Sequence, residues 1–371
     1  SSWEAPSICP FLIEAAAQKW KVDPKTLKIE NGKVVGQGRS AHFGTLIEIA
    51  SKLPVPENII LKDSSRFKVI GKQSNRKDSS LKVSGKAKYS IDVQLKNQLV
   101  VVIKKPDQFN AKVISFDDTA AKAISNFAFA ATLPNQKGVA VYANDTWSAF
   151  KARKALKVMW DNSSAETVSS TDLKNEMLEL LKQKPAYQVS KDISKDQSQS
   201  KINEAVKVLE QTFYFPMLAH APMEPLNCTI EPLSGNKIKV YDGCQGPSMA
   251  QGAIAKILNI PLENVQIETM FAGGSFGRRV SPETDYHVEA AMAFGLTDKT
   301  RPVKLVWSRE DDIKGDYYRP AAAHHIQVGL DKKNKIIAWD HHIVSQPIFK
   351  GTGFEKVLVH NGVDKASVEG V

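Results

Sequence analysis

Residues 8–20 read as a helix, with Ala15, Ala16, Ala17 and Trp20 gathered near its end and Val22-Asp23-Pro24 breaking it. A short strand, turn and strand follow, residues 27–29 and 34–35 around Asn31-Gly32. Residues 46–53 predict a second helix, ended by Pro54 and Pro56. This gives a small α+β segment over residues 1–69.

From 70 to 160, strand and helix patterns interleave. Residues 99–103 form a continuous apolar run, and 112–116, 127–131, 138–142 and 157–160 are strand-like. Asp117 or Asp118 is placed to cap a helix through Ile124, and Asp145 one through Ala155. Interleaving of this kind predicts an α/β or α+β unit. Residues 161–202 change character: a polar stretch, a helix with Leu173, Met177, Leu180 and Leu181 on one face, then a polar linker over 190–201. From 203 to 371 strands dominate, at 206–215, 228–231, 238–241, 265–270, 303–308, 326–330 and 336–339. Two helices interrupt them. One covers 248–258; the other starts at Ser281-Pro282-Glu283, with serine as cap and proline as first helical residue. The expected fold class is α+β.

Composition narrows the function classes. The 371 residues are 42% hydrophobic and 24% charged, an ordinary globular balance for two or three domains. No apolar run approaches the ~20 residues that span a bilayer, and no basic stretch leads into an apolar segment as a secretory signal would. Both ends read as cuts inside a larger protein. The net charge is +10, but the lysines are scattered among acids and no basic run interleaves with aromatics. A solvated basic surface is the better reading than a nucleic-acid interface. Cys9, Cys228 and Cys244 make no CxxC pair, which argues against an iron–sulfur cluster or structural zinc within the chain and for buried free thiols. The pairs His324-His325 and His341-His342 lie in strand-like runs, where neighbours point to opposite faces and do not chelate by themselves.

The loop Ala272-Gly273-Gly274-Ser275-Phe276-Gly277-Arg278-Arg279 sits between the 265–270 strand and the helix expected at Ser281. Glycines permit positive φ and close backbone approach. Exposed N–H groups ahead of a helix attract anions, and two arginines offer charge-assisted donors to phosphate. The spacing is not GxGxxG, lacks the Gly-Lys-Ser/Thr of a Walker A loop, and is not a nucleophile elbow, since Gly274 and Phe276 flank Ser275. Taken alone, an anion-binding loop and a tight turn with solvated arginines stand level.

The company of the loop separates them. Lys82-Val83-Ser84-Gly85-Lys86-Ala87-Lys88-Tyr89 and Ala219-His220-Ala221-Pro222-Met223-Glu224-Pro225-Leu226-Asn227-Cys228 precede it, as does Tyr241-Asp242-Gly243-Cys244-Gln245-Gly246-Pro247. Downstream come Arg301-Pro302-Val303-Lys304-Leu305-Val306-Trp307-Ser308-Arg309-Glu310-Asp311-Asp312 and Tyr317-Tyr318-Arg319-Pro320. In this order the motifs resemble the molybdenum-cofactor-binding large subunit of the xanthine dehydrogenase/aldehyde oxidase family, nearest its isoquinoline 1-oxidoreductase beta subunit and related aldehyde dehydrogenase branch.

The resemblance implies a hammerhead α/β domain over 70–160, followed over 203–371 by the first part of a mixed-sheet molybdenum-cofactor-binding domain. It implies cofactor contacts from Gly273, Gly274, Ser275, Phe276, Gly277 and, as a charged neighbour, Arg278. Ser275 stands where the family usually has a third glycine. Gln245 matches the glutamine that hydrogen-bonds an oxygen ligand of molybdenum, with a helix-capping amide as its bland alternative. Arg319 matches an arginine near the substrate in the xanthine-oxidising branch, and a plain surface arginine is equally in play. No acidic match for purine binding is found. His220 and Glu224 suggest an acid/base pair, yet Pro222 and Pro225 beside them favour a structural turn.

The implied chemistry is hydroxylation of an aldehyde or N-heteroaromatic with oxygen from water, on a molybdopterin expected in its cytosine dinucleotide form. The general-base glutamate is expected beyond Val371, in the C-terminal half of the subunit. The implied partners are that half, a small subunit carrying 2Fe-2S clusters, and a cytochrome, in a periplasmic or cell-envelope setting, with the cytoplasm as the alternative. A folded, non-catalytic fragment without cofactor is the alternative.

Overall fold

A computed structural model describes residues 5–54, 63–67, 69–189, 194–360 and 363–367. The chain divides into two compact units, Ser1–Ser84 and Gly85–Val371. Residues 70–84, read from sequence as the start of the α/β segment, hold turns and the helix Ser79–Val83.

In the first unit the helix Ala5–Trp20 buries Leu12, Ala15, Ala16 and Ala17 against Leu27, Val34 and Leu46. Its sheet is antiparallel: Lys28–Glu30, Lys33–Gly36 and Arg39–His42. The third strand, Arg-Ser-Ala-His, has no apolar alternation to announce it. The helix expected over 46–53 shortens to a 3-10 turn, Phe43–Thr45, and the α-helical Ile47–Ala50. Pro56, the expected stop, lies outside the described residues.

The second unit is built on a mixed seven-stranded sheet. Its strand order is Val265–Thr269, Lys237–Asp242, Asn227–Leu233, Val303–Val306, Leu99–Lys104, Val139–Ala143, Phe127–Thr132. The pairs 237–242/265–269 and 303–306/99–104 are parallel and the rest antiparallel. Segments expected to lie in separate domains therefore share one sheet, joined where Leu305 registers with Val101. Periodicity reports that a strand exists, not which distant strand it pairs with.

Helices Pro247–Leu258 and Asp285–Gly295 cover one sheet face, burying Ile254, Ala290, Ala291 and Phe294 against Ile230, Val240 and Leu305. Helix Thr146–Ala155 covers the other face through Ala149 and Ala152. Asp145 caps it as the sequence predicts, accepting from Ser148 N at 2.8 Å.

A second, three-stranded antiparallel sheet comprises Lys207–Phe215, Ala322–Leu330 and Ile336–Ser345. The side of Ala323, Tyr214 and Val344 packs on Met177 and Leu173 of helix Ser170–Leu180. The strand period of two puts Leu209, Phe213, Phe215, Trp339 and Ile343 on the opposite side, and all are exposed. The expected linker is not all irregular. Residues 190–193 lie outside the described residues, but Lys195–Asn203 is a helix. A capping box explains it: Ser194 Oγ accepts from Gln197 N, and Gln197 Oε1 accepts from Ser194 N. Ile202, one of two apolar residues between 190 and 202, is buried.

Candidate functional site

The 265–269 strand delivers the glycine loop to a fixed place. Met270 N donates to Asp242 O at 2.8 Å, so the loop leaves the sheet beside the end of the neighbouring strand. The loop then lies along residues 220–224. Glu224 N donates to Gly273 O at 3.0 Å, and Gly273 N donates to Glu224 Oε2 at 2.6 Å. A Cβ at Gly273 would fall 2.7 Å from Glu224 Cβ, so only glycine permits this approach.

Glu224 is 7% exposed and works as a hub. Its Oε1 accepts from Ser90 Oγ at 2.8 Å, Ile91 N at 2.8 Å and Asn227 Nδ2 at 3.0 Å. Its Oε2 takes Gly273 N and faces Arg279 Nη2 at 3.3 Å. One carboxylate therefore ties the turn at 90–92, the start of the 227–233 strand and the loop. The structural reading of Glu224 holds, and it does not pair with His220.

The two arginines do not act as the sequence suggested. Arg278 is 1% exposed, with Nη2 at 2.6 Å from Asp285 Oδ2 and Nε at 2.7 Å from Asp316 Oδ1. Arg279 is fully buried between Glu224 and Asp242, and its Nη2 also donates to Glu224 O at 3.3 Å. Expected as phosphate donors, both are internal braces, because the acids that neutralise them lie near in space and scattered in sequence. Burial works against ionising Asp285, yet the hydrogen bond and charge of Arg278 hold its pKa below the ordinary value. The same ion pair moves the helix start. Asp285 begins the helix, and Ser281 instead bonds Asp285 through Oγ at 2.8 Å.

What remains available on the loop is its backbone. The N–H groups of Gly274, Ser275, Phe276 and Gly277 have no hydrogen-bond partner among the described residues. Phe276, 70% exposed, and Ala221 across from the loop both adopt positive φ, +52° and +45°. Gln245 is knit to the loop's end: its N donates to Arg279 O at 3.2 Å and its Oε1 accepts from Arg279 N at 3.2 Å. Its Nε2 is left without a partner among the described residues, on an exposed side chain. Four free N–H groups and one free amide form an all-donor set, which fits an anionic, oxygen-rich pterin cofactor.

His220 Nδ1 lies 3.0 Å from Asp316 Oδ1, and its backbone N also donates to that carboxylate. Arg319 stands farther along the same strip. It bridges Leu218 through the backbone, and Nη2 donates to Pro216 O at 2.7 Å. No direct contact joins Arg319 to the loop among the described residues.

Asp242, Cys244 and His287 cluster closely enough to chelate a metal. However, Asp242 already accepts from Tyr286 Oη at 2.9 Å, faces His287 Nε2 at 2.6 Å and neutralises Arg279. Burial pushes the Cys244 thiol up to about 12, so it stays protonated. The cluster braces Arg279. Cys228 is buried as expected, whereas Cys9 is exposed.

Asp312 is fully buried, and neither carboxylate oxygen has a hydrogen-bond partner among the described residues. Burial raises its pKa to about 6, against the pull of Arg278. A carboxyl whose folded pKa exceeds its unfolded value, about 3.9, stabilises below the unfolded value and loses that contribution as pH rises through the folded one. Asp312→Asn should therefore leave stability unchanged near pH 4 and raise it by about 2 kcal/mol near pH 8. Urea unfolding at both pH values measures this, and an equal difference at each pH would sink it.

Sequence reasoning missed Glu224's hub role, Asp316, Asp285 and Asp312. The signal for Asp316 was its position between the 301–312 and 317–320 motifs. Glu224 and Asp312 lay within the 219–228 and 301–312 motifs, and Asp285 had no signal beyond being an acid.

Comparison with known proteins supports one lineage. Residues 181–349 match the family model of the molybdopterin cofactor-binding domain. The isoquinoline 1-oxidoreductase subunit beta of Brevundimonas diminuta is 27% identical over 90% of this chain and 47% of its own length. The membrane-bound aldehyde dehydrogenase [pyrroloquinoline-quinone] of Gluconacetobacter polyoxogenes is 30% identical over 85% of this chain and 40% of its own. The chain thus spans less than half the length of these relatives. Among solved structures, quinoline 2-oxidoreductase from Pseudomonas putida 86 superposes with a TM-score of 0.54 at 15% identity, covering 75% of this chain and 39% of its own. CO dehydrogenase from Oligotropha carboxidovorans gives 0.53 at 17% identity, over 74% and 39%. These structures share the α+β fold with its mixed sheet.

Proposed function

This chain belongs to the xanthine dehydrogenase/aldehyde oxidase family of molybdenum-cofactor-binding large subunits, and on that premise we propose that it supplies one wall of a molybdopterin site in a hydroxylase of aldehydes or N-heteroaromatic rings. The observation that carries this is the run of unpartnered N–H groups at 274–277 beside the free amide of Gln245. In this reading Gly273, Gly274, Ser275, Phe276 and Gly277 line the cofactor, and Gln245 Nε2 donates to an oxygen on it. Arg278 holds the loop's shape without touching the cofactor, because Asp285 and Asp316 engage it. One relative's name carries pyrroloquinoline-quinone, but the domain match over 181–349 favours the pterin. The cytosine dinucleotide form is our proposal on the family resemblance alone.

When bound, the molybdenum cofactor supplies the two-electron oxidation, with water as the oxygen source. The chain's own part is to orient the cofactor through a rigid, pre-bonded loop. Arg319, exposed and without an acidic partner among the described residues, is a candidate substrate contact. The base and the opposite wall come from the second half of the subunit. The exposed face with Leu209, Phe213, Phe215 and Trp339 is a surface suited to pack against it. Electrons pass to a 2Fe-2S subunit and on to a cytochrome, in the periplasm or cell envelope. No helix among the described residues is long and apolar enough to cross a membrane.

The test is oxidation of a panel of aldehydes and N-heteroaromatics by the full-length subunit with its iron–sulfur partner, coupled to an artificial dye acceptor. Turnover with oxygen-18 from labelled water in the product is expected. A molybdenum-loaded complex inert toward both classes would overturn the assignment of substrate, and a folded complex that takes up no cofactor would favour a non-catalytic role.

A further inference from the structure

The His220–Asp316 pair is not accounted for by the braces of the loop. Asp316's side chain is fully buried and already has Arg278 Nε at 2.7 Å. It nevertheless holds His220 twice, through the backbone N and through Nδ1, at 3.0 Å from Oδ1 and 3.1 Å from Oδ2. Two anchors on one residue fix the ring's rotation. The ring is not sealed in, because the His220 side chain keeps 24% exposure. Its Nε2 has no hydrogen-bond partner among the described residues. That nitrogen faces the loop: a Cβ at Gly277 would stand 3.7 Å from Nε2 and 4.0 Å from Cδ2. Gly277 has φ +102° and an N–H without a partner among the described residues.

We propose that His220, oriented by Asp316, is a further cofactor-contacting residue, its Nε2 hydrogen-bonding an anionic oxygen of the group seated on 274–277. This rests on the molybdopterin reading above. The chemistry follows from the dyad. A carboxylate accepting from Nδ1–H leaves Nε2 an acceptor in the neutral ring and a donor in the imidazolium. Donation to an anionic oxygen takes the form of the ring in which both nitrogens carry hydrogen. Groups facing the ring are Asp316 and, through it, Arg278. Asp316 is a positioning residue, since it acts only through the imidazole.

The experiment uses the full-length subunit purified with its iron–sulfur partner, as wild type, His220→Gln, His220→Leu and Asp316→Asn. Molybdenum and pterin per complex are measured after dialysis, with the electron paramagnetic resonance spectrum of the half-reduced complex. His220→Leu should lose cofactor roughly ten- to hundredfold faster, the range for one charge-assisted hydrogen bond. His220→Gln, which keeps an amide donor, should restore much of the retention. Asp316→Asn should shift the spectrum and loosen retention. A loaded wild type with His220→Leu identical in retention and spectrum would overturn this inference alone. A folded wild type without molybdenum would overturn the reading beneath it as well.

Discussion

Glu224→Gln should destabilise the Gly85–Val371 unit by about 3–5 kcal/mol, the range for removing one partner of a buried ion pair. The substitution keeps the side chain's shape, so packing is not the cause. Each oxygen of Glu224 is committed: Oε1 to Ser90, Ile91 and Asn227, Oε2 to Gly273 N and Arg279. An amide offers only one oxygen. In either orientation its NH2 faces donors, and Arg279 is left with Asp242 as its sole carboxylate at 3.4 Å. Urea unfolding measures the loss. The double variant Glu224→Gln/Arg279→Met should recover none of it, because the buried Asp242 then loses the guanidinium it faces. If Glu224→Gln alone falls within about 0.5 kcal/mol of wild type, as an ordinary surface substitution would, the hub assignment is wrong.

Gly277→Val should empty the site while the fold survives. Two effects coincide at this position. The φ of +102° is one that L side chains rarely adopt, a strain of about 1–3 kcal/mol. The added carbons also project toward His220 Nε2, into space the cofactor occupies in our reading. Strain alone is controlled by Gly235→Val, where φ is +71° and nothing lies within 4 Å of the added Cβ. Melting temperatures of the two variants should be similar. Cofactor content should drop at least tenfold, about 1.4 kcal/mol, in the first and stay at the wild-type level in the second.

Where sequence and structure agree, the cause is local. Asp145 caps the helix it precedes because N-capping needs only a carboxylate within three residues of a free N–H. The glycine loop was legible as a turn because glycines take the positive φ it needs at 274 and 277. Where they differ, the cause is distance along the chain. Arg278 and Arg279 read as phosphate donors until Asp285, Asp316, Glu224 and Asp242, up to 55 residues away, close around them. The helix start at Asp285 follows from that closure and not from the Ser-Pro-Glu signal at 281–283. The pairing of Leu99–Lys104 with Val303–Val306 is likewise a tertiary choice that neither segment encodes alone. His220 had neighbours that suggested a catalytic pair with Glu224; its partner, Asp316, is 96 residues on.

The central claim is that the 274–277 backbone and Gln245 hold a molybdopterin. Its most direct test is the molybdenum and pterin content of the full-length complex, wild type against Gly277→Val and Gln245→Ala. The account predicts about one cofactor per wild-type subunit, near-complete loss in Gly277→Val, and loosened retention in Gln245→Ala, where one neutral donor worth about 1 kcal/mol is removed. Equal cofactor content in all three complexes would contradict it.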